Sequence, residues 1–199
     1  MENIKKNREL LLNDIFSSHL NSNLKNSNIT KLVAVSKKQE EYKIDLAIQT
    51  GQKFFGENRV QEAQERWEKR LQKYSDLELR LIGPLQTNKI KQALNLFDII
   101  ETIDREKLAK AISINFNAKV KTKSFFIQIN TGEEPQKSGI FPLEADTFIK
   151  YCVNDLKLPV VGLMCIPPHN EEPAMHFCLL KKIADRNNLL ELSMGMSDD

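Results

Sequence analysis

A lysine ends an apolar segment near the start of the chain. The segment reads LVAVSKK over residues 32–38, so that Ser36 and Lys37 directly follow a run typical of a buried strand. In parallel barrels the chemically active residues lie at the carboxyl ends of the strands. A lysine stem held in an apolar barrel mouth is desolvated, which favours the neutral amine that attacks aldehydes. Lys37 is therefore a candidate nucleophile; the alternative is a lysine that extends into solvent.

A glycine-containing turn follows the last apolar segment. Gly195, Met196 and Ser197 would offer backbone N–H groups and a hydroxyl to a phosphate. Barrels often place phosphate sites after their seventh and eighth strands. The alternative for Ser197 is an ordinary helix N-cap.

An amide side chain follows the second apolar segment. Asn58 comes directly after Gly56 and Glu57, where its side chain could hydrogen-bond the polar edge of a ligand. The alternative is a cap for the helix that begins near Val60. The residues alone leave both interpretations open.

A zinc site is the interpretation that the cysteines and histidines suggest first. Cys165, His169, His176 and Cys178 follow no standard ligand spacing. His176 and Cys178 lie two apart in a predicted helix and so do not share a face. We predict no metal site.

The elements that position these residues alternate between short apolar runs and longer amphipathic segments. Continuous apolar runs are typical of strands buried on both faces. The predicted strands cover residues 32–35, 53–55, 79–82, 98–100, 125–129, 160–164 and 190–194. Helices are predicted at 4–20, at 61–73 with Glu62–Arg66 and Glu65–Lys69 pairs, after Asp104 as an acidic cap, and from Pro142 and Pro173.

This alternation predicts an α/β fold with a parallel sheet. A barrel and a doubly wound open sheet both fit. The absence of an evident switch point and of a Gly-x-Gly-x-x-Gly motif after the first strand favours the barrel. A TIM-type (β/α)₈ barrel needs eight strands, and the sequence offers seven. We therefore expect a single domain over residues 1–199 that begins with a helix and is either a truncated barrel or an open fold.

Composition excludes several classes of protein. The net charge of +2 is too small to indicate nucleic-acid binding. The sequence contains no apolar run long enough to span a membrane, and its charged start does not read as a signal peptide. The three widely spaced cysteines indicate a reducing compartment, so we expect a cytoplasmic protein.

The motifs at the strand ends together resemble the pyridoxal phosphate homeostasis proteins, small relatives of the alanine racemase N-terminal barrel. They are, in order, LVAVSK, FGENRVQE, IGPLQTNK, KSGI, GLMCIPP and LSMGMSDD. The resemblance implies a TIM-type (β/α)₈ barrel with an extra N-terminal helix, here lacking the last helix and eighth strand. It implies that Lys37 forms a Schiff base with pyridoxal 5'-phosphate, that Asn58 lies beside the cofactor ring, and that Gly195, Met196 and Ser197 hold the phosphate. It also implies a role in holding and buffering the cofactor, with apo-enzymes as possible recipients and no established turnover. We expect a monomer.

Two other functions stay open at this point. A pyridoxal-phosphate-dependent amino-acid racemase needs acid–base groups on both faces of the substrate, and Tyr42, Tyr74 and Tyr151 all fall in predicted helices or helix starts. A degenerate, non-binding fragment is suggested by the missing eighth unit. The sequence also departs from the family at Leu79–Leu81, where an aromatic–histidine pair is usual, and at residues 38–40.

Overall fold

Short strands alternate with helices along the chain. The computed structural model describes residues 2–21 and 30–196. The strands are β1 (Ala34–Val35), β2 (Phe54–Glu57), β3 (Glu78–Leu81), β4 (Ile99–Ile103), β5 (Ser124–Ile129), β6 (Val160–Cys165) and β7 (Glu191–Ser193). The helices are α1 (Glu2–Asn21), α2 (Glu41–Gln49), α3 (Val60–Lys73), α4 (Ile90–Leu96), α5 (Glu106–Asn115), α6 (Ala145–Lys150) and α7 (Pro173–Arg186). No helix within these described residues is long and apolar enough to cross a membrane.

The strands form one parallel sheet whose spatial order follows the chain from β1 to β7. Because this order never reverses, the sheet has no switch point, and the doubly wound alternative is excluded. All seven strands lie where the sequence predicted them, and α1 precedes the first strand as expected. The prediction of a TIM-type fold is confirmed as a curled, parallel half-barrel of seven strands.

The larger core lies between the sheet and the helices that cover its convex face. Phe55, Leu79, Ile100 and Phe125 point outward from successive strands and are fully or almost fully buried. Trp67 of α3 packs against them, with its ring centroid 4.7 Å from that of Phe55. This burial explains why the strands read as continuous apolar runs.

A smaller cluster fills the concave face of the sheet. Ile99, Phe126 and Met164 pack together there. The Ser193 hydroxyl of β7 donates a hydrogen bond to a Glu101 carboxylate oxygen of β4 at 2.5 Å. Because β5 and β6 lie between these two strands, this contact requires the sheet to curl back over its own concave face.

The predicted start of one helix at Pro142 is wrong. The helix begins at Ala145, and Pro142 lies in a turn closed by a 3.0 Å hydrogen bond from the Glu144 N–H to the Phe141 carbonyl oxygen. Proline suits the second position of such a turn because its fixed φ matches the conformation required there.

Two predicted local interactions are also wrong. Arg105, not Asp104, is the N-cap residue of α5, and Asp104 forms an ion pair with Arg105. In α3 Arg66 pairs with Glu41 and Glu57 rather than with Glu62. In α3 the tertiary partners replace the local pairing that the sequence suggested.

Candidate functional site

Lys37 lies in an exposed turn at the carboxyl edge of the sheet, by which we mean the edge where the carboxyl ends of all strands meet. The Gln39 N–H closes the turn on the Ser36 carbonyl oxygen at 3.1 Å, and Lys38 has a left-handed φ of 59°. Among the described strands β1 pairs only with β2, which leaves Val35 44% exposed. The expectation that Lys37 is desolvated is therefore wrong, since its side chain is exposed to solvent.

A buried carboxylate fixes the start of this turn. Glu57, the last residue of β2, is fully buried. One of its oxygens accepts hydrogen bonds from the Ser36 hydroxyl at 2.7 Å, from Arg66 at 3.0 Å and from the Trp67 indole N–H at 3.1 Å. We call these four residues the Glu57 cluster. Its other oxygen is buried without a hydrogen-bond partner among the described residues.

Arg66 connects the Glu57 cluster to the backbone of the turn and to the surface. Its guanidinium donates to the Ser36 carbonyl oxygen at 2.9 Å and to Glu41 at 2.9 Å. Burial works to lower the pKa of Arg66, but hydrogen bonds and charge attraction from Glu41 and Glu57 outweigh it and raise the pKa. Arg66 therefore stays a cation and compensates the buried Glu57 charge.

Asn58 follows Glu57 directly and is half-buried. The N-cap of α3 is Arg59, so the alternative of Asn58 as the helix cap is not supported. The backbone of Asn58 lies against Gly83 at the end of β3, where an added Cβ would come within 2.3 Å of the Asn58 carbonyl oxygen. Gly83 thus has a packing role, because only glycine allows this approach.

The phosphate-binding turn proposed from the sequence lies at the other side of the sheet, after β7. Gly195 has a φ of 90°, and an added Cβ there would meet no atom of the described residues within 4 Å, its two chain neighbours aside. Met196 is 53% exposed. Ser197, the third residue of the predicted turn, lies outside the described residues. The structure therefore places Lys37 and Asn58 after the neighbouring strands β1 and β2, and Gly195 and Met196 after β7 at the far edge of the sheet.

A second buried ionic group crosses the concave face. Arg80 of β3 donates to Glu101 at 2.9 Å and to Glu78 at 2.7 Å, and the second oxygen of Glu101 accepts from Ser193. We call these four residues the Glu101 network. Burial again works to lower the pKa of Arg80, while attraction to Glu101 and Glu78 raises it. Arg80 lies within Leu79–Leu81, where the sequence departs from the family that it resembles.

The structure also locates the cysteines, histidines and tyrosines that the sequence analysis considered for a metal site and for racemisation. Within the described ranges, no group of three or more His, Cys, Asp and Glu side chains could hold a metal ion. His176 is buried beside Glu171, whereas Cys178 is exposed. Tyr42 lies in α2, Tyr74 directly follows α3 and Tyr151 extends α6.

Sequence reasoning missed the roles of Glu57, Arg66 and Arg80. A signal was present for Arg80, a charged residue between Leu79 and Leu81 of a predicted buried strand, because a buried charge requires a partner. Glu57 lies two residues beyond the predicted second strand, so its burial was not indicated. The partners themselves lie on other elements, so the pattern within one segment could not identify them. No signal in α3 distinguished Arg66 from its neighbouring arginine and lysine residues.

Comparisons with known proteins agree on the relatives of this chain. The family model described as alanine racemase, N-terminal domain, matches residues 18–197. The pyridoxal phosphate homeostasis protein of Haemophilus influenzae is 36% identical over 99% of this chain and 87% of its own length. That of Pasteurella multocida is 40% identical, covering 85% and 77%. PipY of Synechococcus elongatus, solved with pyridoxal phosphate bound, gives a TM-score of 0.70 at 27% identity, covering 94% of this chain and 90% of PipY.

Proposed function

The chain belongs to the family of pyridoxal phosphate homeostasis proteins, and we propose that it binds pyridoxal 5'-phosphate as a Schiff base on Lys37. One observation carries this proposal. Lys37 presents an exposed amine at the carboxyl edge of the sheet, on a turn that a buried carboxylate fixes from below. The likeness to PipY, which was solved with the same cofactor, supports it.

The described residues fit the chemistry of this cofactor. An aldehyde requires a primary amine that it can reach, and Lys37 is exposed. A phosphate requires backbone donors that it can approach, and among the described residues, its two chain neighbours aside, an added Cβ at Gly195 would meet no atom within 4 Å. Asn58, next to the Lys37 turn, would contribute an amide to the cofactor ring. Ser197 stays a predicted phosphate ligand.

We infer that the protein holds the cofactor rather than turning over a substrate. Racemisation requires a proton donor and acceptor on each face of the substrate. Among the described residues, all three tyrosines lie on or directly after helices rather than at the ends of strands. This arrangement favours a carrier over a racemase.

We further propose a cytoplasmic monomer that releases the cofactor to apo-enzymes. The exposure of Lys37 supports this role, since a reversible bond to an accessible amine can be exchanged with another amine. The check is to mix the loaded protein with an apo-enzyme that requires pyridoxal phosphate and to follow its recovery of activity. Recovery no faster than with a Lys37→Ala variant plus the same amount of cofactor would exclude direct transfer.

The proposed site is tested by titrating the protein with pyridoxal phosphate and recording the visible absorption. Lys38→Ala is a matched control, because Lys38 is exposed in the same turn. We expect a saturable band in wild type and Lys38→Ala, and none in Lys37→Ala. Borohydride reduction should leave a stable phosphopyridoxyl adduct, the cofactor less one water and plus two hydrogens, on the peptide that contains Lys37. A band that persists in Lys37→Ala would show that another lysine is the site, and the proposal would fall.

A further inference from the structure

The Glu57 cluster includes the residues that directly precede Lys37 and Asn58, the two residues that we place next to the cofactor. Ser36 immediately precedes Lys37, and Glu57 immediately precedes Asn58. The Ser36 hydroxyl donates to the Glu57 carboxylate at 2.7 Å, and this side-chain bond adds to the backbone bond from the Ser36 N–H to Gly56 in joining the end of β1 to the end of β2. The position of Lys37 relative to Asn58 therefore depends on it.

Every polar group of Ser36 is engaged. Its N–H donates to the Gly56 carbonyl oxygen at 3.0 Å, and its hydroxyl contacts Glu57. Its carbonyl oxygen accepts from Arg66 at 2.9 Å and from the Gln39 N–H at 3.1 Å. Since the last of these bonds closes the turn that carries Lys37, the backbone at Lys37 is held from below while its side chain extends into solvent.

Stability alone gives a poor account of the Glu57 cluster. A buried carboxylate must be removed from water, and a buried ion pair often contributes no more stability than an apolar group of similar size. Here one oxygen takes all three donors and the other, also buried, has no hydrogen-bond partner among the described residues. The three donors converge from the turn after β1 and from α3, which is the geometry of a positioning group.

We propose that Glu57 is a positioning residue: through Ser36 and Arg66 it sets the place of the Lys37 turn against Asn58. This inference rests on the proposed function of Lys37. Glu57 itself is fully buried on the helix-covered side of β2, hydrogen-bonded to Trp67, so we place it behind the turn rather than against the cofactor. It acts through its neighbours.

The test compares Glu57→Gln with Glu101→Gln. Both positions are buried carboxylates on the same sheet that accept from an arginine, but only Glu57 contacts the turn. The Glu57→Gln substitution keeps an acceptor oxygen and removes the charge, so this variant should fold even if Glu57→Leu does not. The readout without cofactor is hydrogen–deuterium exchange of the backbone N–H groups of residues 36–39, beside the melting temperature.

We expect faster exchange in this turn for Glu57→Gln and exchange equal to wild type for Glu101→Gln. With cofactor, Glu57→Gln should weaken the Lys37-dependent band by about 10- to 100-fold in apparent affinity, the range expected for a displaced reactive group. Equal exchange in both variants, or an unchanged affinity in a Glu57→Gln protein, would overturn the positioning role. If wild type itself gave no Lys37-dependent band, the proposed function would fail, and the exchange comparison alone would decide whether Glu57 positions the turn.

Discussion

Two carboxylates are buried on opposite faces of one sheet, and their hydrogen bonds are distributed differently. Glu57 and Glu101 are 0% and 1% exposed. On Glu57 one oxygen takes all three donors, while the other has none among the described residues. On Glu101 each oxygen takes one donor, from Arg80 and from Ser193. Both oxygens of Glu101 are thus engaged, whereas one oxygen of Glu57 is not, and a buried polar atom without a partner calls for an explanation such as a functional role.

The two groups also connect different parts of the molecule. Glu57 joins segments that are adjacent in the fold, the turn after β1 and the helix after β2. Glu101 on β4 accepts a hydrogen bond from Ser193 on β7, which is 92 residues away in sequence. The strands β5 and β6 lie between them in the sheet. The comparison shows that a buried glutamate can link distant strands of the curled sheet, as Glu101 does, or fix one turn at its edge, as Glu57 does.

The largest expected effect comes from removing the structural carboxylate. Glu101→Leu leaves the Arg80 cation buried with only Glu78 as partner, and we expect a loss of about 3–5 kcal/mol in the free energy of unfolding. Urea denaturation measures this loss. The double variant Arg80→Met, Glu101→Leu should recover part of it, because no buried charge then lacks a partner. A double variant that is less stable than Glu101→Leu would contradict the assignment.

The next largest effect is expected from a matched pair of serine variants, one in the Glu57 cluster and one in the Glu101 network. Ser36→Ala removes a hydroxyl from Glu57, and Ser193→Ala removes one from Glu101. Ser36→Ala should cost about 1–3 kcal/mol, because it removes a hydrogen bond to a buried charged group. Ser193 is only half-buried on an edge strand, so water can replace its hydroxyl and the loss should be smaller. Only Ser36→Ala should also weaken cofactor binding in the absorbance titration; equal weakening by both variants would remove the distinction.

The smallest expected effect concerns pH and Glu41, the exposed carboxylate that Arg66 of the Glu57 cluster also binds. Burial works to raise the pKa of Glu41, but hydrogen bonds from Arg70 and Arg66 outweigh it and hold the pKa below its ordinary value of 4.5. A carboxyl whose pKa is lowered by folding stabilises the protein above its unfolded pKa, and this contribution is lost as the pH falls through the folded pKa.

Glu41→Gln should therefore be less stable than wild type above about pH 5 and equally stable in strong acid. The side chain of Glu41 is 57% exposed, so the difference should stay below about 1 kcal/mol. Urea denaturation at several pH values measures it. A difference that grows as the pH falls would contradict the sign of the shift.

The sheet could be predicted from the sequence because each strand carries its own signal. Buried parallel strands read as continuous apolar runs, and seven such runs separated by helical segments permit few topologies. The turn over residues 141–144 was wrongly predicted as the start of a helix at Pro142. Proline suits both the first turn of a helix and the second position of a β-turn, so the sequence did not distinguish them.

The candidate site could be predicted only in part. The position of Lys37 and Asn58 at the carboxyl edge could be predicted because both follow strand ends, which the chain order defines. Burial at Lys37 was predicted wrongly, since exposure depends on which strands flank β1. The bonds of Glu57 and Glu101 depend on strand register and on the curl of the sheet, so no single segment contains them.

The indole of Trp67 gives this protein a reporter of its own. It is the only tryptophan in the chain, it is fully buried, and its N–H contacts Glu57. Its fluorescence therefore comes from one known position beneath the Lys37 turn, and a chromophore bound above would quench it by energy transfer. A change in emission lifetime would then follow loading and release in real time, without any label attached to the chain.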